Sequence, residues 1–358
     1  MPNAAAATFN VLDFGAKADG RTDSSKSFAS AWAQACASAQ PASILVPKGR
    51  FLVGSTTFSG QCANKAISFE IQGTLVAPSN YNILGNKGTW LLFEHVDGVS
   101  IRSGVLDGQG TILWDCKNSN EGSCPPGATT LEFTNSKNIV ISGLTSMNSQ
   151  MFHIVINACQ NVKAQGITIT ADGNSPNTDG IHVQGSSDVT ILTSKIRTGD
   201  DCISVEICSI GSLGKDENEA GVQNVTVKTV TLSGTQNGVR IKTWGRPSNS
   251  FVRDVVFQDA TIVNAQNPIV IDQNYCPNNE GCPGQASGVK ISDITYKNIH
   301  GTSATEVAVK FDCSSKNPCS GIKLEDLKLT YKNQAAQASC VHASGDALGL
   351  EQPQSCLS

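Results

Sequence analysis

Asn138-Ile139-Val140-Ile141, Asn161-Val162-Lys163-Ala164, Asp188-Val189-Thr190-Ile191 and Asn224-Val225-Thr226-Val227 state one short phrase four times. The same phrase opens at Gly98, Asp254, Gly288 and Gly321. A polar residue or glycine comes first, then Val or Ile, a variable residue and an apolar one, with a further apolar residue five positions on. Steps between copies run from 23 to 40 residues. A second short strand follows many of them: His153-Ile-Val-Ile, Gly180-Ile-His-Val, Cys202-Ile-Ser-Val, Gly238-Val-Arg-Ile, Pro268-Ile-Val-Ile and Val307-Ala-Val-Lys. Alternating strands at solenoid spacing, with no helical pattern between them, predict an all-β chain folded as a right-handed parallel β-helix. One coil cannot bury its apolar face alone, so stacked coils share a core. A sandwich or barrel would need hairpin turns, and Asn-Gly hairpins are scarce.

Ser24 to Ala39 has helical spacing and reads as a short capping helix at the N-terminal end, with Ser24 or Asp23 as N-cap. No linker or change of composition divides the 358 residues, so the reading is one β-helix domain over 1–358. Charged residues are 16%, too few for a solvated disordered chain. The formal charge of −4 gives no support for a nucleic-acid partner. No apolar run reaches membrane-spanning length, so no membrane partner is expected either.

The 13 cysteines are an odd number, and eight of them fall in close pairs. Cys116 pairs with Cys124, Cys202 with Cys208, Cys276 with Cys282 and Cys313 with Cys319. Cys36–Cys62 and Cys340–Cys356 complete six proposed disulfides and leave Cys159, in an apolar context, as a buried thiol. No zinc-type cysteine spacing is present, so no zinc site is expected. Disulfide-closed loops fit an oxidising compartment. No signal-peptide h-region stands at the N-terminus, but the cysteines direct the expectation to secretion and the cell wall. Asn224-Val225-Thr226 is a candidate glycosylation sequon.

In a β-helix, equivalent positions on neighbouring coils stack about 4.8 Å apart. Aligning Gly180-Ile-His-Val with Cys202-Ile-Ser-Val stacks Asp179 on Asp201, with Asp200 beside them. Three carboxylates in one patch repel, so at least one pKa rises, as general acid–base chemistry requires. Taken singly, Asn177-Thr-Asp-Gly180 and Thr198-Gly-Asp-Asp201 are ordinary turns. On the next strand Val239 and Ile241 point inward, and Arg240 and Lys242 face the carboxylates. Two cations beside an acidic trio suit an anionic substrate. Local charge balance is the plainer alternative. Tyr275 and His182 lie on the same face as candidate binding residues. His153, one coil earlier, reads equally as a satisfied strand histidine.

Asn177-Thr-Asp-Gly180, Gly199-Asp-Asp201 and Arg240-Ile-Lys242 resemble three of the four motifs of the polygalacturonases, glycoside hydrolase family 28. The resemblance runs from Phe9-Asn-Val-Leu-Asp-Phe-Gly15 to the last cysteines. Ser209-Ile-Gly-Ser-Leu-Gly-Lys215 and Gly238-Val-Arg-Ile-Lys-Thr-Trp244 are similar to plant members. Asp272-Gln-Asn-Tyr-Cys-Pro277 and Gly301-Thr-Ser-Ala-Thr305 are most like pollen exopolygalacturonases. The resemblance implies action on polygalacturonate in pectin by an inverting, two-carboxylate mechanism, with no metal or organic cofactor, and a monomer is expected. It makes Asp200 the general acid, Asp179 and Asp201 the water-activating pair, Arg240 and Lys242 the clamp for the substrate carboxylate, and Tyr275 a substrate contact. Cys202 and Cys208 resemble a family disulfide.

One family motif is missing. The chain passes from Val205 through Glu206-Ile207-Cys208 straight into Ser209, where the family carries a Gly-His-Gly segment. About one short coil is absent by that comparison, so impaired hydrolysis is expected, with Arg240 and Lys242 brought one coil nearer Asp201. A non-catalytic pectin-binding β-helix is the second reading. A calcium-dependent lyase, whose acidic trio would hold the ion, is the third.

Overall fold

The computed structural model describes residues 6–119, 123–206, 214, 216–276, 282 and 284–358. Cys208 and most of the Ser209–Lys215 motif lie outside them. The chain divides into two compact units: Met1–Val155 with Cys159–Thr178, and Ile156–Ala158 with Asp179–Ser358. Both are built from coils of the right-handed parallel β-helix that the repeat predicts.

In the first unit, strands such as Ala42–Val46, Ile67–Ile71 and Val99–Arg102 pair in parallel and in register. The phrase repeats because every coil meets the same backbone problem at its corner. Asn138 and Asn161 both have φ near +57° (56° and 57°), the left-handed region that Asn, Asp and Gly enter most cheaply. Their side chains also ladder: Asn161 Nδ2 donates to Asn138 Oδ1 at 2.8 Å, and Asn138 Nδ2 to Asp97 Oδ1 at 2.6 Å. Inside, Phe58, Phe93 and Phe133 stack at centroid spacings of 4.6 and 4.8 Å.

Helix α1 (Ser25–Ala37) buries Phe28, Ala31, Trp32 and Ala35 on one face and covers that aromatic column through Trp32. Ser24 is its N-cap residue, but the Ser24 hydroxyl bonds Thr22 O and Lys17 N instead of the helix. The Asp23 carboxylate accepts from Ser25 N at 2.9 Å. A second helix, α2 (Thr111–Ser119), was not expected from the sequence.

In the second unit, Val222–Ser233, Phe251–Ala265, Lys290–Ser303 and Cys319–Tyr331 form one long parallel ladder. Asp188, Asn224, Asp254 and Gly321 take the left-handed corner as the repeat requires. The copy at Gly288 does not. Val255 pairs with Ile294, so the corner belongs to Asp293 (φ 56°) and the true phrase is Asp293-Ile-Thr-Tyr296. A second ladder in this unit runs through Ile181–Gln184, Ile203–Glu206, Asn237–Trp244, Asn267–Tyr275, Val307–Asp312 and Gln337–Val341.

Among the described residues five disulfides form: Cys36–Cys62, Cys116–Cys124, Cys276–Cys282, Cys313–Cys319 and Cys340–Cys356. The sixth expectation is corrected in part. Cys202 is a buried thiol whose Sγ faces Ile196 O at 3.5 Å, and burial pushes its pKa up to about 12. Cys202 stands just before the strand Ile203–Glu206 and is fully buried. Cys159 is likewise a buried thiol, directed at Phe133 O.

Candidate active site

The second ladder builds the site. Ile181 pairs with Ile203 and Ile203 with Val239, so the stacking read from the sequence is the register of the structure. The strand bearing Arg240 pairs directly with the strand after Asp201. Two residues before each paired apolar position stand Asp179, Asp201, Asn237 and Asn267, one column on successive coils. Coil spacing is tight at the neighbouring glycine. A Cβ on Gly180 would sit 2.4 Å from Cys202 O, so only glycine lets the Asp179 coil close onto the next.

Asp179, Asp200 and Asp201 each place one oxygen within 4.8 Å of the others'. Asp179 and Asp201 are buried; Asp200 is partly exposed. The two buried carboxylates are driven in opposite directions. Burial raises the pKa of Asp179, against the pull of His182, whose Nε2 lies 2.6 Å from Asp179 Oδ2. Asp179 Oδ1 has no hydrogen-bond partner, which adds to the cost of its charge. Burial would raise Asp201 too, but Lys242 and then Arg240 outweigh it and hold the carboxyl well below the usual range. Lys242 Nζ is 3.2 Å from Asp201 Oδ2, and Arg240 NH1 is 3.4 Å from Oδ1. One buried carboxylate is thus disposed to hold a proton and its neighbour to stay charged.

Arg240 also reaches Asp272 Oδ2 at 3.4 Å. The Tyr275 ring lies 5.2 Å from both the Arg240 guanidinium and the Lys242 ammonium, with Trp244 against its edge. Asp179, Asp200, Asp201, Arg240, Lys242 and Tyr275 are thus one constellation. His182 differs from expectation: it is 2% exposed and turned to Asp179, because that carboxylate needs a partner once buried. His153 is wholly buried, bonded through Nδ1 to Ser146 Oγ at 2.8 Å, and burial lowers its pKa to about 3. It stands just before the strand Ile154–Asn157 and is only half satisfied, because its buried Nε2 has no hydrogen-bond partner.

Sequence reasoning missed Asn237 and Asn267. Asn237 Nδ2 donates to Asp201 Oδ1 at 2.6 Å, and Asn267 Nδ2 to Asn237 Oδ1 at 2.9 Å. Their place in the aspartate column was the available signal. Thr235 donates to Asp200 O and holds that corner. The acidic trio has the geometry to hold a divalent ion, but Lys242 and Arg240 already neutralise Asp201 at contact distance. Among the described residues, no helix is long and apolar enough to cross a membrane. The Asn224 sequon lies on an exposed left-handed corner, where Asn224 Nδ2 donates to Asp188 Oδ1.

Comparison with known proteins follows this geometry. The profile of glycosyl hydrolases family 28 matches residues 36–209 and 207–348. A polygalacturonase of Prunus persica is 64% identical over 367 residues, covering 98% of this chain and 93% of the relative. An exopolygalacturonase of Platanus acerifolia is 41% identical, covering 92% of each. Among solved structures, the exopolygalacturonase of Thermotoga maritima superposes with a TM-score of 0.69 at 20% identity, over 90% of this chain and 88% of that one. The polygalacturonase of Erwinia carotovora gives 0.67 at 22% identity, over 95% and 98%.

Proposed function

Since the chain belongs to glycosyl hydrolases family 28 and is a glycosidase, we propose that it hydrolyses α-1,4-galacturonosyl linkages of polygalacturonate from a chain end, by an inverting mechanism. The observation that carries this reading is the acidic trio beside Arg240 and Lys242. Asp200, the most exposed of the three, protonates the departing glycosidic oxygen. Asp179 and Asp201 draw the proton from the attacking water, and His182 fixes the Asp179 carboxylate. Arg240 and Lys242 bind the galacturonate carboxylate, and the Tyr275 ring lies against the sugar. The relatives named exopolygalacturonase support the exo assignment. Five disulfides support secretion to the cell wall, with the protein acting as a monomer.

Asp200→Asn should abolish release of reducing ends from polygalacturonic acid. Unchanged release by a folded variant would end the assignment. The trio is closer than the roughly 6.5–9.5 Å usual between inverting carboxyls. Proton NMR of the first anomer released, β from an α-linkage, therefore tests the inversion directly.

A second reading, a pectin-binding protein with feeble catalysis, has its own support. The family match breaks at 207–209, where the Gly-His-Gly segment would fall. The alignment with the Prunus persica relative, 367 residues, is longer than this 358-residue chain, so part of that relative faces a gap. Oligogalacturonate bound without product would favour this reading.

A further inference from the structure

Asp201 is held from three sides. Lys242 Nζ is at 3.2 Å from its Oδ2, Arg240 NH1 at 3.4 Å from Oδ1, and Asn237 Nδ2 at 2.6 Å from Oδ1. The Asp201 side chain is 0% exposed, and those of Lys242 and Arg240 are 7% and 14%. Both cations assigned to a substrate carboxylate are thereby already engaged by a carboxylate of the protein. Their chemistry cannot separate the two: an aspartate and a uronate present the same anionic fork to a guanidinium and an ammonium.

We propose that Asp201 is a resident competitor in the uronate-binding clamp, and that a galacturonate unit binds by displacing it from Arg240 and Lys242. The inference rests on the reading of those two residues as the clamp. It makes Asp201 a residue that sets affinity as well as one that serves the reaction. The apparent affinity for an acidic sugar is lowered by the fraction of molecules in which Asp201 holds the cations. A neutral, methyl-esterified sugar does not compete for them and escapes that reduction. Once displaced, Asp201 is a buried carboxylate facing Asp179 on one neighbouring strand and Asp200 beside it in the chain. His182 is engaged with Asp179, Arg240 and Lys242 turn to the ligand, and Asp272, itself an anion beside Arg240, offers Asp201 no countercharge. The Asp179 and Asp201 pair therefore takes up one proton between them and keeps one ionised carboxylate for the attacking water.

The test is calorimetric titration with trigalacturonic acid, run in two buffers of different ionisation heat, on the full chain and on Asp201→Asn. Expected are binding about tenfold tighter in Asp201→Asn, loss of turnover in the same variant, unchanged binding of the fully methyl-esterified trimer, and uptake of about one proton per trimer by the unsubstituted chain. A merely structural role for Asp201 would weaken binding instead. Equal or weaker binding of trigalacturonic acid by a folded Asp201→Asn overturns the competitor and leaves the clamp standing. No binding by either protein overturns both. If Asp201→Asn does not fold, proton uptake by the unsubstituted chain decides: about one proton supports the displacement, and none overturns it.

Discussion

In the Asp179–Ser358 unit, two columns of equivalent residues are written by different rules. The corner column, Asn224, Asp254, Asp293 and Gly321, varies little because each coil must enter the left-handed region there. The groove column, Asp179, Asp201, Asn237 and Asn267, keeps its register and changes once, from carboxylate to amide between Asp201 and Asn237. Its members are buried or half-buried and depend on each other: an amide steadies one carboxylate, two cations neutralise it, and a histidine attends the other. The corner thus marks a backbone problem that Asn, Asp and Gly solve alike, while in the groove the one change from carboxylate to amide divides the charged members from the amides that steady them.

The largest effect should come from breaking the groove column. Lys242→Met strips a buried partner from Asp201 and should cost about 3 kcal/mol in denaturant unfolding, with much of the loss recovered by adding Asp201→Asn. The corner column should prove both softer and more specific. Asp254→Val forces a β-branched residue into φ 54° and should cost about 1–2 kcal/mol, whereas Asp254→Gly should be nearly neutral. In the core behind these columns the Tyr296 hydroxyl is buried without a partner, so Tyr296→Phe should gain about 1 kcal/mol.

The smallest signal is a difference in pH slope between the two buried carboxylates. Asp179, raised in the fold, gives stability that is present below its unfolded pKa near 4 and is lost as pH rises through the folded value. Asp201, depressed in the fold, gives stability present above about 4 and lost as pH falls through its folded value. Melting temperatures of Asp179→Asn should therefore gain on the parent from pH 4 to 7. Those of Asp201→Asn should gain on it only below pH 4.

The coil was legible in the sequence because its corner demands Asn, Asp or Gly just before an inward Val or Ile. The misreading at Gly288 shows the limit. Gly288-Val-Lys-Ile and Asp293-Ile-Thr-Tyr both satisfy the phrase within a few residues, and only pairing with Val255 separates them. Helix α2 escaped notice because it buries just Leu113 and Trp114, too few positions to show a period. The aspartates and cations of the site were readable because alignment of one strand on the next places them. Asn237 and Asn267 were passed over because attention to titratable groups overlooks the amides that position them. Cys202 misled because spacing along the chain cannot reveal that a side chain is fully buried as a thiol.

The direct pairing of Ile203 with Val239 has a wider consequence. An inward face of interchangeable Ile and Val accepts whichever coil arrives next, so the solenoid's integrity carries no record of the order of its outer side chains. Circular dichroism, protease resistance and melting temperature all read that interior. Two such proteins, alike in each of these measurements, can still differ wholly in what their grooves do to a sugar chain. For this architecture, soundness of fold is no certificate of trade, and only turnover and ligand affinity can be trusted to sort workers from look-alikes.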